Sequence, residues 1–376
     1  MNSFHLRPTR PGPRWLAVVC ALALAGCAGT PTATPLPAPA LTPAPATATA
    51  PPLPTVTAAP APTATASGVL LAFLAGDGDP RPLAAAQTTA AELGWRFESR
   101  SATAPEAPAA LQEWAAQGAG VIVVEGAGLT EATRAAAAEW PAVYFIGLGQ
   151  AAEAETPGNL LALGGAQDRL DQAGFLAGML AGFATETERV AVFSDPTSPE
   201  GRKYRNGFLS GVRYTCPKCR LDTLDLTGSG TADLARAEGV KYAALGADVI
   251  FAAAGPAGEA ALLGAAEAGA VVIGSHSDAR TTVFGGGAAG ADRVLTSVYA
   301  DPGAALAGAL RAFHAGQPLS GAQPLSLANA GIGLAPLQDP AGRVEPLDVQ
   351  EVETARQRLA ARTLETGVDP LTGDER

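Results

Sequence analysis

The sequence contains few of the residues that most often build metal and redox centres. Three His and four Cys are scattered over 376 residues, so we predict neither a metal site nor a cofactor. Positive charge is also scarce, because 25 Lys and Arg face 36 Asp and Glu, for a net charge of −11. Nucleic-acid binding is therefore not expected, since it requires a basic surface. Beyond residue 67, no run approaches the roughly 18 apolar residues that a membrane span needs.

Catalytic motifs are missing as well. The chain has no Gly-x-Ser-x-Gly elbow, no His-Glu-x-x-His pair and no Walker loop. A glycine cluster at 285–290 does not open a helix directly after a strand, as a dinucleotide-binding fingerprint requires, and is predicted to be a loop. We therefore predict that the protein is not an enzyme and has no catalytic residues.

The N-terminus has the pattern of an export signal. A basic, acid-free stretch precedes the apolar run Trp15–Ala25, and Leu24-Ala25-Gly26-Cys27 follows at once. This tetrapeptide resembles the lipobox of bacterial lipoproteins, in which the cysteine receives lipid and becomes the first mature residue. The alternatives are an ordinary signal peptide with an incidental cysteine, or a short buried helix. We predict a signal peptide over 1–26, lipidation of Cys27 and a protein anchored by lipid on the extracytoplasmic face of the cell membrane.

The segment 27–67 is predicted to be a linker. After Cys27 it consists almost entirely of Pro, Thr and Ala and carries no charge. Such a composition cannot bury enough apolar surface to offset the entropy of ordering, and its prolines favour extended backbone.

From residue 68 onward, short apolar runs alternate with helical stretches. The runs are continuous rather than alternating, as in strands buried on both faces of a parallel sheet. Repetition of strand and helix indicates an α/β fold with doubly wound, mostly parallel sheets. The first three runs end near residue 150, and a long helical stretch at 167–187 precedes a second set. We therefore predict two lobes joined at a hinge.

Ligands of open parallel sheets bind beyond the carboxyl ends of the strands, so the residues that close each run are the site candidates. Glu125 is one such residue, at the end of the run 121–125. For His276 the alternatives are ligand contact, an exposed hinge position or catalysis. For Tyr204 they are ligand stacking or a surface or interface position. The predicted ligand-binding residues are Asp77, Asp79, Gly126, Gln150, Asp195, Tyr204, Gly255, His276 and Asp278.

A single Cys-x-x-Cys pair, Cys216 and Cys219, lies between a helical stretch and a strand. Without a second pair or a nearby histidine it lacks the partners for a closed zinc site. A local structural disulfide is favoured, because export favours oxidation. Free thiols, adventitious metal and redox catalysis are the alternatives.

Several collinear segments resemble the basic membrane protein family of ABC-transporter substrate-binding lipoproteins, whose best-understood branch binds purine nucleosides. The resemblance implies a two-lobed, type I periplasmic-binding fold with three hinge crossings. The segments that carry it are Ala173-Gly-Phe-Leu-Ala-Gly178, Gly207-Phe-Leu-Ser-Gly-Val212, Gly246-Ala-Asp-Val-Ile250, Ile273-Gly-Ser-His-Ser-Asp278, Val294-Leu-Thr-Ser-Val298 and Gly331-Ile-Gly-Leu-Ala-Pro336.

This chain departs from the family where ligand is held. The loop after the first strand, Gly76-Asp-Gly-Asp-Pro-Arg-Pro82, lacks the family's stacking aromatic. Only the second acid of the family's Val-Asp-Ser-Asp-Gln pattern remains, at Asp278. A family lysine matches Ala300, and a family acid falls near Leu148 or Gly149.

The expected function is that of a solute-binding protein of an ABC importer, with a small polar molecule, nucleoside-like by resemblance, held between the lobes. Its partners are the solute, an ABC permease and the membrane through the lipid. The alternatives are a lipoprotein sensor or interaction module with an altered or lost ligand site, and an exported enzyme. The expected division is 68–165 with 277–318 in lobe one, 166–276 with 319–350 in lobe two, and 351–376 as a C-terminal helix and tail.

Overall fold

A computed structural model describes residues 68–76, 79–151, 156–227, 231–285, 287, 289–339 and 342–376. The predicted signal peptide, Cys27 and the linker lie outside the described residues, as does Asp77. No helix in the described ranges is long and apolar enough to cross a membrane.

Two six-stranded sheets, each flanked by helices, form the structure over the described residues. The first half of the chain contains β1 (Leu70–Ala75), α1 (Pro80–Glu92), β2 (Arg96–Ser101), α2 (Ala107–Ala116), β3 (Val121–Glu125), α3 (Thr130–Glu139), β4 (Tyr144–Leu148), β5 (Leu160–Leu163), α4 (Leu170–Ala184) and β6 (Arg189–Ser194). The second half contains α5 (Pro199–Thr215), β7 (Arg220–Asp225), α6 (Ala232–Ala244), β8 (Val249–Ala253), α7 (Gly255–Glu267), β9 (Val271–Ser275), α8 (Ala279–Thr282), β10 (Val294–Ala300), α9 (Pro302–His314), β11 (Gly321–Gln323), β12 (Ile332–Leu334) and α10 (Pro346–Ala360).

Sheet one has the order β11-β5-β4-β3-β1-β2, and sheet two the order β12-β10-β9-β8-β6-β7. Every pairing between these strands is parallel except that of β10 with β12. The central strands are buried on both faces, as their continuous apolar runs predicted. The predicted α/β fold with two mostly parallel sheets is therefore confirmed.

Three crossings join the two lobes. The chain passes from β5 to α4, from β10 to α9, and from β11 to β12. The first and third crossings are tied by hydrogen bonds from Gly164 N to Gln323 O, at 2.9 Å, and from Arg169 N to Leu325 O, at 2.8 Å. The second and third are joined where Asp301 N donates to Gly331 O, at 2.7 Å. These bonds hold the crossings side by side as one hinge.

The lobe boundaries expected from the sequence are wrong at two strands. β10 was expected in lobe one but pairs with β9 in sheet two, and β11 was expected in lobe two but pairs with β5 in sheet one. Both α8 and β10 thus belong to lobe two, and the chain returns to lobe one at α9. Pairing partners that are distant in sequence decided this, because strand composition does not specify which sheet a strand joins.

Glycines let α4 and α5 pack with their backbones in close contact. A Cβ built on Gly178 would lie 2.1 Å from Phe208 O, and one on Gly211 would lie 2.0 Å from Phe175 O. The two glycine-containing motifs of the sequence are therefore facing surfaces of one helix pair. This packing fixes α5, whose N-terminal half reaches the hinge.

The C-terminal tail packs on the same helix pair. The hydroxyl of Thr366 donates to the fully buried carboxylate of Asp171, which is also paired with Arg169 at 2.9 Å. Asn206 donates to Gly373 O at 2.7 Å. The segment after α10 is thus an ordered part of lobe two.

Candidate functional site

The carboxyl ends of both parallel sheets lie at the hinge, because β5, β10 and β11 each end where a crossing begins. Ligands of open parallel sheets bind beyond these ends. Three cavities lie along this edge in lobe one and at the hinge, with volumes of about 440, 340 and 240 Å³. The cleft between the lobes is therefore the candidate site.

An ion pair between Asp79 and Arg81 lies at the start of α1, on the side of lobe one that faces the cleft. Asp79 caps α1 by accepting from Arg81 N at 2.9 Å, and its other oxygen accepts from Arg81 Nε at 2.6 Å. Burial opposes ionisation, but these bonds and the charge of Arg81 lower the pKa of Asp79. Arg81 also donates to Ala300 O at 2.9 Å, which links α1 to the second crossing. Asp79 is thus at the predicted edge, already neutralised by its neighbour.

Gly126 and Gln150 lie at the ends of neighbouring strands of sheet one. Gly126 lines the 440 and 240 Å³ cavities and has a φ of 110°, in the region that favours glycine. The buried amide of Gln150 donates to Val124 O and Gly126 O, both at 3.2 Å. Both N–H donors of the Gln150 amide are used by the backbone of lobe one. In this structure Gln150 stabilises the carboxyl end of β3.

On the lobe-two wall, Asp195 and Asp278 each use the carboxylate oxygen Oδ1 to accept local hydrogen bonds. The second carboxylate oxygen of each residue takes no part in these bonds. Asp195 accepts from Thr197 N at 2.9 Å and from its hydroxyl at 2.5 Å, and these bonds lower the pKa of Asp195. Asp278 caps α8 by accepting from Arg280 N at 3.1 Å. Gly255 begins α7 with a φ of 55° and open space where a side chain would be.

Tyr204 and His276 form an aromatic pair in lobe two. Their ring centroids are 5.8 Å apart in an edge-on arrangement, and Tyr204 also meets the Phe251 ring at 6.4 Å. Tyr204 is only 2% exposed, so its ring is neither a platform for stacking nor a surface group, and only its hydroxyl remains for a ligand. His276 is exposed, with a φ of 69° and Nδ1 2.8 Å from Ser275 Oγ.

Two charged residues that the sequence analysis did not select, Asp168 and Lys203, organise the hinge. The Asp168 carboxylate accepts from Leu325 N at 2.8 Å, while Lys203 Nζ donates to Ala166 O at 2.7 Å and to Asp168 O at 3.0 Å. Burial raises the pKa of Asp168 and lowers that of Lys203. No sequence motif marked either residue; their role depends on contacts between distant segments.

Glu125 is a further candidate, and the sequence did mark it as a strand-end residue. It lines the 440 and 240 Å³ cavities. It lies in register with Leu148 on the neighbouring strand, so the edge of sheet one carries an acid on β3 and an apolar residue on β4. Burial and the charge of Asp79 raise the pKa of Glu125, against a hydrogen bond from Gly76 N–H.

Cys216 and Cys219 are joined by a disulfide with an S–S distance of 2.01 Å and a Cα–Cα distance of 5.3 Å. The bond closes the turn between α5 and β7, and Cys216 belongs to a cluster of buried apolar side chains. It lies at the end of α5 remote from Tyr204 and the hinge, which indicates a structural position.

A model of the family Bmp, described as ABC transporter substrate-binding protein PnrA-like, matches residues 90–364. The chain belongs to this family. The resemblance noted in the sequence is therefore confirmed, and the protein is a member of a substrate-binding family of ABC transporters. No curated protein matches the sequence.

Solved structures share the fold at low sequence identity. A transcriptional activator of the comK gene from Bacillus halodurans superposes with a TM-score of 0.62 at 17% identity, covering 79% of this chain and 99% of its own. An ABC transporter solute-binding protein from Conexibacter woesei DSM 14684 gives 0.59 at 20% identity, with 80% and 98% covered. A solute-binding protein from Aeropyrum pernix K1 gives 0.51 at 17%, with 80% and 92% covered.

Proposed function

We propose that the mature protein is a lipid-anchored, extracytoplasmic solute-binding protein of an ABC importer. It closes its two lobes over a small polar molecule and presents the closed form to a permease. Membership of the substrate-binding family supports the role, and the lipobox-like Leu24-Ala25-Gly26-Cys27 supports the anchor. We expect no chemical turnover of the bound solute.

The observation that carries this proposal is a hinge made of three crossings that are hydrogen-bonded to one another. On each side of this hinge, carboxylates at the strand ends have no ion-pair partner among the described residues. In lobe one, Glu125 faces cavities of 440 and 240 Å³. In lobe two, Asp195 and Asp278 use their carboxylates on local backbone bonds but form no ion pair among the described residues. Closing the lobes brings these groups around one solute, where charge-assisted hydrogen bonds are strongest.

Purine nucleosides are the solutes that the family resemblance suggests. Two departures argue against nucleosides. The family acid that ends a strand falls near Leu148 or Gly149, and the family lysine matches Ala300. These replacements favour a second candidate function, that of a sensor or interaction module with the same fold. The structural neighbour of TM-score 0.62 is a transcriptional activator of the comK gene, and its role supports this second candidate.

Thermal unfolding with a solute panel tests the proposal. Guanosine, inosine, ribose, glucose, choline and putrescine are added in turn, and small molecules released by denaturing the purified protein are identified by mass spectrometry. A solute at 100 times its Kd stabilises the protein by about 2.7 kcal/mol, a midpoint shift of about 5 °C. Failure of every solute, with nothing released, would favour the sensor or interaction module.

Asp278→Asn provides the variant arm of this test. Asparagine caps helices about as well as aspartate, so the variant keeps the start of α8 and removes only the charge. Its unfolding midpoint without solute should match that of the wild type. A solute that binds through lobe two should lose much of its shift in this variant, whereas an unchanged shift would remove Asp278 from the site.

A further inference from the structure

Glu125 carries a charge that no side chain of the described residues neutralises. Its neighbour Asp79 is paired with Arg81, whose remaining donor is bonded to Ala300 O. Glu125 has no such partner, although it lies half-buried at the carboxyl end of β3. The lobe-one wall therefore presents one unbalanced carboxylate to the cleft.

The cavity beside Glu125 suits a small group. Its volume is about 240 Å³, and its other lining residues are glycines, Pro82, Leu148, Leu163, Pro302, Leu325 and Asp168. The Asp168 carboxylate accepts from Leu325 N, so it is used to tie the first crossing to the third. Of the two acids that line this cavity, Glu125 is therefore the one that does not hold the hinge together.

The opposite wall adds a phenol. Tyr204 is 2% exposed, and its hydroxyl forms no hydrogen bond with the described residues. The Tyr204 ring meets the ring of His276 at 5.8 Å, and His276 directly follows β9. The phenol therefore lies near the carboxyl end of β9, at the edge of sheet two where a solute is expected.

The cationic side chains near the hinge, Lys203 and Arg169, already have partners and do not neutralise Glu125. Lys203 donates to two backbone carbonyls, and Arg169 is paired with the buried Asp171. Within the described ranges Glu125 and Glu200 have no ion-pair partner. Glu125 accepts a hydrogen bond from Gly76 N–H but has no cation beside it. Keeping such a half-buried carboxylate charged is costly, and closing the lobes would increase that cost unless the solute supplied the opposite charge.

We propose that the cleft selects solutes that carry a positively charged nitrogen, and that Glu125 is the residue that pairs with it. The Tyr204 hydroxyl accepts a further hydrogen bond from the same solute. The inference rests on the proposed solute-binding function and narrows its substrate class to organic cations. In this proposal the residue of lobe one that recognises the solute is Glu125 at the end of β3, and not its neighbour Leu148 at the end of β4.

Matched probes separate charge from shape. Choline is compared with its uncharged isostere 3,3-dimethylbutan-1-ol, and putrescine with 1,4-butanediol, by calorimetry and thermal unfolding of the full mature chain. We expect binding by at least one cation and none by its neutral counterpart. Guanosine and ribose are included as neutral solutes of other classes.

Glu125→Gln keeps the shape of the side chain and removes the charge, and Glu139→Gln is its control, since Glu139 is exposed on α3 of the same lobe. Loss of one charged hydrogen bond from a putrescine ammonium should weaken putrescine binding by about 10- to 100-fold in the first variant and leave it unchanged in the second. Choline has no N–H to donate, so its binding reports the loss of charge attraction alone. Glu125→Lys should abolish cation binding. The unfolding midpoint of each variant without solute shows whether it is folded.

The outcomes distinguish the inference from the function on which it rests. Binding of guanosine or ribose without binding of either cation would overturn the cation inference and leave solute binding intact. Equal binding of a cation and its isostere, or full cation binding by Glu125→Gln, would also overturn it. No binding by any probe, with no solute released on denaturation, would contradict both.

Discussion

Replacing Gly178 by alanine should force α4 and α5 apart. The new methyl group would lie 2.1 Å from Phe208 O and 2.8 Å from Val212 N. Ordinary contact requires a further separation of roughly 1 Å or more, and both clashing atoms are backbone of a packed helix that cannot swing aside. Overpacking a core typically costs about 1–3 kcal/mol. We expect the upper end, about 3 kcal/mol, because a whole helix must move.

Gly308 is the matched control, since it lies within α9 and a Cβ there would meet nothing within 4 Å. Alanine at this position should stabilise the protein by about 0.5–1 kcal/mol, because alanine is the better helix former. Urea unfolding of both variants measures the two effects. Gly178→Ala should lower the thermal midpoint by about 5–10 °C. An unfolding free energy equal to that of Gly308→Ala would refute the close-packing argument.

Three further perturbations test other parts of the structure. Asp171→Ala leaves the Arg169 guanidinium without its buried partner and should cost about 3–5 kcal/mol in urea unfolding; a cost below about 1 kcal/mol would contradict the buried pair. Cys216→Ser with Cys219→Ser should cost less than about 2 kcal/mol, because so short a loop constrains the unfolded chain little, and two reactive thiols in the native wild type would argue against the bond. Cys27→Ala should leave an unprocessed precursor, and a wild-type protein found wholly in the aqueous phase of a detergent partition would exclude the anchor.

Local patterns in the sequence determined the fold class and the family. Continuous apolar runs such as Val121–Glu125 predict strands buried on both faces, and their alternation with helices predicts a parallel sheet. The family resemblance came from several short segments in a fixed order between 173 and 336, and two of them, at 173–178 and 207–212, are the glycine motifs where α4 and α5 meet. Local pattern and segment order can both be read from one chain.

Strand membership and the state of each candidate side chain were decided by the tertiary structure alone. Whether β10 joins sheet one or sheet two depends on partners far away in sequence, and the three-residue β11 has no pattern of its own. Gln150 was predicted as a ligand-binding residue from its place in the sequence, and only the tertiary structure shows that its amide donates to the carbonyls of Val124 and Gly126. Glu125 was visible as a strand end, but its importance rests on having no cation beside it among the described residues, a property of three-dimensional neighbours that residue order does not encode.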